Sequence, residues 1–469
     1  MKQFLYVITA LSMYRTKVNY EAASLGRNLH LLLLLVAALA PAVGPALPCS
    51  ECGHPDSDPV FNVGFTILEF QYAEGTHQEA VTVAVWYPTL SQTSDYIYNN
   101  GFRSRVAPDA PPAPSGPFPL IAFYHGGYST GIQSLCLTEY LASRGFIVAA
   151  PDFVDTVPPE FVEPAAFERI QGSKGVKDPV TVLRIVGEFA KIMNADREKF
   201  VWYMETFRLR KAHFAIDIML QIGEKKDSPF YGLIDQRTIG ASGHSLGGLT
   251  TLGLIGAHPK EELRDTRVKA ALVLSSGVYP YEDRIDRIQI PLMTMHGDHD
   301  EPMNPNFPRS LLYERTSPPK YYLVLGNSTH FTFGNMPCQQ YRTVPSCQAL
   351  DPRVKAIDQY GCAFFEKYLK NRTGADDQLS RTDPILIVYE KNLGAQVPVT
   401  QSTTTTRTST EATRLQPTAR LVFTLTVAAV CVIAITTVIV AARHRRSGQM
   451  RKHTITHIDK DFKPHTHLR

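Results

Sequence analysis

Gly243, Ser245 and Gly247 form a Gly-x-Ser-x-Gly pattern. It lies between an apolar run ending at Ala241 and a second apolar run from Leu249 to Leu254. A serine becomes a nucleophile when a sharp strand-to-helix turn lifts its hydroxyl clear of the sheet. The residues flanking such a turn must be glycine because side chains there meet neighbouring backbone. The helix that follows leaves free N–H groups beside the serine, where they favour a developing negative charge. The pattern alone is weak, since Gly and Ser are common turn residues; the flanking strand and helix give it weight.

A serine nucleophile needs a base, an acid to orient that base, and donors for an oxyanion. On a parallel sheet these come from the carboxyl ends of different strands. Asp300 follows an apolar strand at 289–295, and His330 follows another at 321–325. The order Ser245, Asp300, His330 is one that serine hydrolases use. Asp298 and Glu301 are rivals for the acid. The N–H groups of Leu246 and Gly127 are the expected oxyanion donors, with Tyr128 as the alternative second donor. His244, His296 and His299 read as packing or turn residues, and His125 as shaping its loop. The Asp298–Asp300 cluster offers no complete metal ligand set.

The elements that would position these groups are legible as periodic runs. Phe61–Tyr72 and Ala80–Tyr87 alternate as two antiparallel strands. Thr89–Pro117, rich in Ser, Asn and Pro, reads as a surface loop. Pro119–Tyr124, a helix over Ile132–Arg144 and Gly145–Pro151 make a strand–helix–strand unit, which implies a parallel sheet with a right-handed crossover. Residues 152–235 form a helical insertion, with helices over Asp178–Asn194 and Lys199–Ile222. Its apolar residues Phe200, Trp202, Tyr203, Met204 and Phe207 face either a substrate channel or the sheet, packing being favoured. Further strands are expected at Ile234–Ala241 and Val268–Ser275, and a closing helix at Asp351–Asn371. Residues 384–398 add a short strand or serve as linker.

The 469-residue chain is 44% hydrophobic and 20% charged, and its formal charge of +4 gives no case for nucleic acid. Residues 1–46 read as a signal peptide or N-terminal anchor, residues 47–60 as a Cys-bearing linker, and residues 61–398 as the main ectodomain. Residues 399–420, dense in Thr and Ser, read as a stalk. Leu421–Ala442 is uncharged and long enough to span a bilayer as a helix of about 33 Å. The basic segment 443–469 would then be cytoplasmic, giving a single-pass type I protein. Cys49, Cys52, Cys136, Cys338, Cys347 and Cys362 fall on the outer side, an even number in an oxidising space. Cys338 with Cys347 closes the shortest loop, apart from the Cys49/Cys52 pair. Asn327 and Asn371 head glycosylation sequons.

His125-Gly126-Gly127, the run Leu141–Ala150, the run Ile234–Gly248 and the run His296–Asp300 together resemble the dienelactone-hydrolase-like branch of the α/β-hydrolases. That branch is similar to platelet-activating-factor acetylhydrolases and cutinase-like polyesterases. The resemblance covers roughly residues 60 to 372. It implies a mostly parallel eight-stranded sheet with helices on both faces, a Ser-His-Asp triad, and no cofactor. The acetylhydrolases carry their acid after the strand that follows the nucleophile helix, where this chain has Ser275-Ser276-Gly277. Asp300, one strand later, fits the dienelactone-hydrolase layout. The expected substrate is a small-molecule or lipid ester. The competing expectation is a non-catalytic or dual-role adhesion or receptor ectodomain on a hydrolase scaffold, since fold alone does not assign function.

Overall fold

Strands buried on both faces read as nearly continuous apolar runs, and Phe118–Tyr124, Ile147–Pro151, Leu292–Gly297 and Lys320–Leu325 are buried at every position. In the computed structural model, which describes residues 60–74, 77–153, 155, 187, 189–300 and 309–394, these runs lie inside one mixed sheet. Its strands are β1 (Asn62–Glu74), β2 (His77–Thr89), β3 (Ser94–Ile97), β4 (Arg103–Pro108), β5 (Phe118–Tyr124), β6 (Ile147–Pro151), β7 (Ile234–His244), β8 (Val268–Leu274), β9 (Leu292–Gly297), β10 (Lys320–Leu325) and β11 (Leu386–Asn392). The order across the sheet is β11-β10-β9-β8-β7-β5-β6-β2-β1-β4-β3. The six strands from β10 to β6 run parallel. β2 joins β6 antiparallel and pairs with β1 along its whole length.

Among the described residues the sheet therefore has eleven strands, where the resemblance implies eight. Two of the additions, β3 and β4, lie in the stretch Thr89–Pro117 read as loop. Both are short, β3 is the edge strand, and most of β3 is exposed, so no apolar alternation marks it. The third is β11, antiparallel on β10, which places a strand at Leu386–Asn392 within the stretch read as strand or linker.

Alternate side chains point to opposite faces. Leu120, Ala122 and Tyr124 join one core with Phe200, Met204, Ile216 and Leu252. Ile121 and Phe123 join the other with Leu135, Leu141, Tyr360 and Phe364. Helices thus cover both faces. α1 (Leu135–Ser143) and α6 (Pro352–Lys370) lie on one. α2 (Arg197–Tyr203), α3 (Arg210–Glu224) and α4 (Leu246–Leu252) lie on the other. α5 (Val344–Leu350) packs in the same layer as α1 and α6. The Asp351 carboxylate caps α6 by accepting from the N–H groups of Arg353 and Val354, and Asn371 closes that helix in the left-handed conformation.

The helix read over Lys199–Ile222 is interrupted by a π-helical turn at Met204–Leu209. Phe200, Tyr203 and Met204 are buried against the sheet, while Trp202 is exposed. Among the described residues no helix is long and apolar enough to cross a membrane. The leader at 1–46, the linker with Cys49 and Cys52, the stalk, the span at 421–442 and the basic tail lie outside the described residues, as do Glu301 and most of the helix read at 178–194.

Candidate active site

β7 runs through His244 and hands the chain directly to α4, with Ser245 at the turn. Ser245 has φ 56° and ψ −118°, a conformation costing a non-glycine residue about 1–3 kcal/mol. Its neighbours explain the glycines. A Cβ on Gly243 would lie 2.2 Å from the Gly247 carbonyl oxygen, and one on Gly247 would lie 1.9 Å from that of Tyr124. The Ser245 N–H donates to Leu274 O at 3.0 Å, which holds the turn against β8.

His330 opens a short 3-10 turn (His330–Phe333) just past β10, capped reciprocally by Thr329 and Thr332. Its Nε2 lies 2.9 Å from Ser245 Oγ, and its Nδ1 lies 3.1 Å from Asp300 Oδ1. Asp300 and His330 are both buried. The three residues that the spacing nominates are thus brought into one hydrogen-bonded line at the carboxyl edge of the sheet. Asp298 does something else. Its carboxylate accepts from the Ser328 N–H at 2.8 Å and pairs with His299, which ties the loop after β9 to the loop after β10. A Cβ on Gly297 would come within 2.2 Å of Ser328 O, so those loops meet backbone to backbone.

Ser275, one residue past β8 with φ 47°, was not nominated as a site residue by the sequence. Its hydroxyl donates to Asp300 Oδ2 and lies 2.9 Å from His330 Nδ1. A carboxylate can only accept, so the serine proton points at Asp300 and the serine oxygen shares the imidazole N–H.

For the oxyanion, Leu246 is the first residue of α4, and its N–H belongs to the set that a helix cannot bond internally. A Cβ on Gly127 would sit 3.6 Å from Leu246 Cδ2, and one on Gly126 would sit 3.3 Å from Ser245 Cβ; the loop after β5 therefore abuts the elbow. Gly127 N–H has no acceptor among the described residues. Tyr128 N–H is committed to Asp155 Oδ2 at 2.7 Å, so of the two nominated donors on this loop only the Gly127 N–H is free among the described residues.

That loop is held from below by groups that no motif marks. Arg208, in the π-helical turn, pairs with Asp155 and donates to the carbonyls of His125 at 2.8 Å and Gly126 at 3.3 Å. Its guanidinium lies 4.5 Å over the Phe153 ring. π-turns recur at functional sites. Burial, with Arg208 adding to it, pushes the His125 imidazole down to about 4. The neutral ring donates from Nδ1 to Gly126 O and accepts the Phe153 N–H at Nε2. His244 and His296 are buried, and burial holds them at about 3 and about 4; neither touches Ser245 Oγ.

No family model matches the chain, and no curated protein matches it. A ferulic acid esterase from Streptomyces cinnamoneus is a similar solved structure. It is 19% identical, the match covers 70% of this chain and 93% of that one, and the TM-score is 0.45. A likeness of that extent says nothing about chemistry.

Among the described residues the group with three metal-type ligands within reach of one another is Cys136, Cys338 and Cys347. Cys338 and Cys347 are joined in a disulfide, so they cannot act as thiolates. Cys136 and Cys362 are free and buried. Asn327 and Asn371, heading the two sequons, are exposed.

Proposed function

We propose that this chain is a serine hydrolase of the α/β-hydrolase superfamily that cleaves carboxylic esters through an acyl-serine intermediate. One observation carries the reading: Ser245 Oγ, the His330 imidazole and the Asp300 carboxylate are in series at 2.9 and 3.1 Å. His330 takes the Ser245 proton at Nε2 as the oxygen attacks the ester carbonyl, then returns it to the departing alcohol. Asp300 fixes the tautomer with hydrogen on Nδ1 and stabilises the imidazolium. The N–H groups of Leu246 and Gly127 receive the oxyanion, each donor being worth on the order of 10²–10³ in rate. A water activated by His330 then releases the acid. With nucleophile, base, acid and oxyanion loop together, the enzyme is favoured over the adhesion scaffold.

The acid after β9, with serine after β8, supports the dienelactone-hydrolase-like layout over the acetylhydrolase one. Acetyl and lipid esters remain within the proposed substrate class. The proposed setting is extracytosolic, tethered by the span at 421–442. The disulfide and the two exposed sequons support it. Fluorophosphonate labelling of the full-length chain tests the chemistry, followed by an ester panel graded by acyl length. Labelling that survives Ser245→Ala would sink the assignment. A shift in mobility on deglycosylation tests the topology.

A further inference from the structure

We infer that Gln133 and His244 form a one-way hydrogen-bond relay that sets the oxyanion loop and the catalytic base in a common frame, so that both govern turnover without touching substrate. This rests on the ester-hydrolase reading above.

The relay has three links. Gly126 N–H lies 2.7 Å from Gln133 Oε1, Gln133 Nε2 lies 2.8 Å from His244 Nδ1, and His244 Nε2 lies 2.8 Å from the His330 carbonyl oxygen. Both ends are backbone groups with one role each. The Gly126 N–H can only donate, so the Gln133 oxygen must face it and the Gln133 nitrogen must donate onward. The His330 carbonyl can only accept, so His244 must carry its hydrogen on Nε2. Read from either end, the imidazole has the same tautomer, with Nδ1 accepting. Rotating the Gln133 amide would set donor against donor and acceptor against acceptor, losing two bonds together. Burial keeps the ring neutral, as the relay requires.

The residues joined are the ones whose spacing decides the reaction. Gly126 precedes the oxyanion donor Gly127, His244 precedes the nucleophile, and the last acceptor is the carbonyl of the base itself. Other bonds stitch the same two loops: Ser134 Oγ to Phe333 O at 2.8 Å, and Asn335 Nδ2 to Ile132 O at 2.7 Å. These bypass the elbow; the relay runs through it. The simpler alternative is packing, since the His244 ring stacks on Phe333 and lies 4.8 Å from the His330 ring. An apolar ring would pack equally well, and that difference is testable.

The experiment compares full-length wild type, Gln133→Met, His244→Phe and the double variant on p-nitrophenyl acetate. Each single variant should lower kcat about 10–10²-fold, the scale of a displaced catalytic group, with KM little changed. The double variant should be no slower than the slower single, because a relay broken once is already broken. Gln133 is half-buried in a loop, so Gln133→Met should unfold at the wild-type temperature. If His244→Phe does not fold, Gln133→Met alone decides. An unchanged kcat in Gln133→Met, or losses that multiply in the double variant, overturns the relay and leaves the hydrolase standing. A wild type that neither turns over ester nor takes fluorophosphonate at Ser245 overturns both.

Discussion

Arg208 meets Asp155 at two points, Nε to Oδ1 at 2.9 Å and Nη2 to Oδ2 at 2.6 Å, with almost no exposure of either side chain. Asp155 also accepts from the Tyr203 hydroxyl and the Tyr128 N–H, and the third guanidinium nitrogen reaches His125 O. The pair therefore braces the loop after β5 against the π-helical turn. A buried pair of this kind adds little net stability, but removing one partner strands the other.

Arg208→Ala should destabilise the fold by about 3–5 kcal/mol. Arg208→Lys keeps the charge and loses the fork. It should fold, yet lower kcat, because one ammonium cannot hold Asp155 and the His125 carbonyl in the same geometry. Denaturant unfolding and ester kinetics on the same preparations separate the two effects. An Arg208→Lys enzyme with wild-type kcat would show that the loop holds itself.

Asp300→Asn should cost on the order of 10⁴ in kcat, because the amide no longer enforces the tautomer that His330 needs. Ser275→Ala should cost far less. It removes one charge-assisted bond to Asp300, worth about 1.5–3 kcal/mol, while the Asp300–His330 contact persists; a loss of about tenfold is expected. If Ser275→Ala fell as far as Asp300→Asn, Ser275 rather than Asp300 would be fixing the imidazole.

The contrast between Ser275 and Ser245 shows what a sequence discloses. Ser245 is legible because its constraint is local: Gly243 and Gly247 are needed within two residues of it, and apolar runs mark β7 and α4. Asp300 and His330 are legible because each follows an apolar strand and the sheet collects such ends at one edge. Ser275 also follows a strand, but serine there is an ordinary turn residue until its partners, 25 and 55 positions away, are placed. Arg208 is harder still, since its partner lies 53 positions off and a basic residue within a helical run reads as part of a solvated face. β3 and β4 escape for the opposite reason: β3 is a mostly exposed edge strand, and β4 buries only Ser104, Val106 and Ala107, too short a pattern to tell from loop.

Acid should weaken the fold through its buried histidines. Burial holds His125 and His296 at about 4 and His244 at about 3, against 6.5 when free. Below about pH 6.5 the unfolded chain binds protons that the folded chain refuses. The stability these rings contribute is therefore complete above that pH and is lost as pH falls toward 4, roughly 3 kcal/mol for each of His125 and His296. Glu139 runs the other way. Burial raises it from 4.5 to about 7, although the hydroxyls of Tyr98 and Ser104 donate to it. Its contribution is complete below about pH 4.5 and is lost as pH rises to 7. Glu139→Gln should therefore gain on wild type across that window, by roughly 3 kcal/mol at its top relative to its bottom. Unfolding free energies that differ by a constant from pH 4.5 to 7 would show that Glu139 is already ionised in the fold.

Cys136 Sγ lies 3.1 Å from Cys338 Sγ, although Cys338 is bonded to Cys347. All three are buried. Cys338 therefore has a second partner close at hand on α1, and Cys347→Ser made in an oxidising compartment should yield a Cys136–Cys338 bond. That bond closes a loop of 202 residues rather than 9. Since cross-links restrain the unfolded chain more as the loop lengthens, the variant should be at least as stable as wild type. The Cys136→Ser, Cys347→Ser double variant has no such rescue and should lose roughly 2–3 kcal/mol. Peptide mapping under non-reducing conditions reads the pairing directly. A free Cys338 thiol in the single variant would mean that the backbone around α1 does not let the two sulfurs reach bonding geometry.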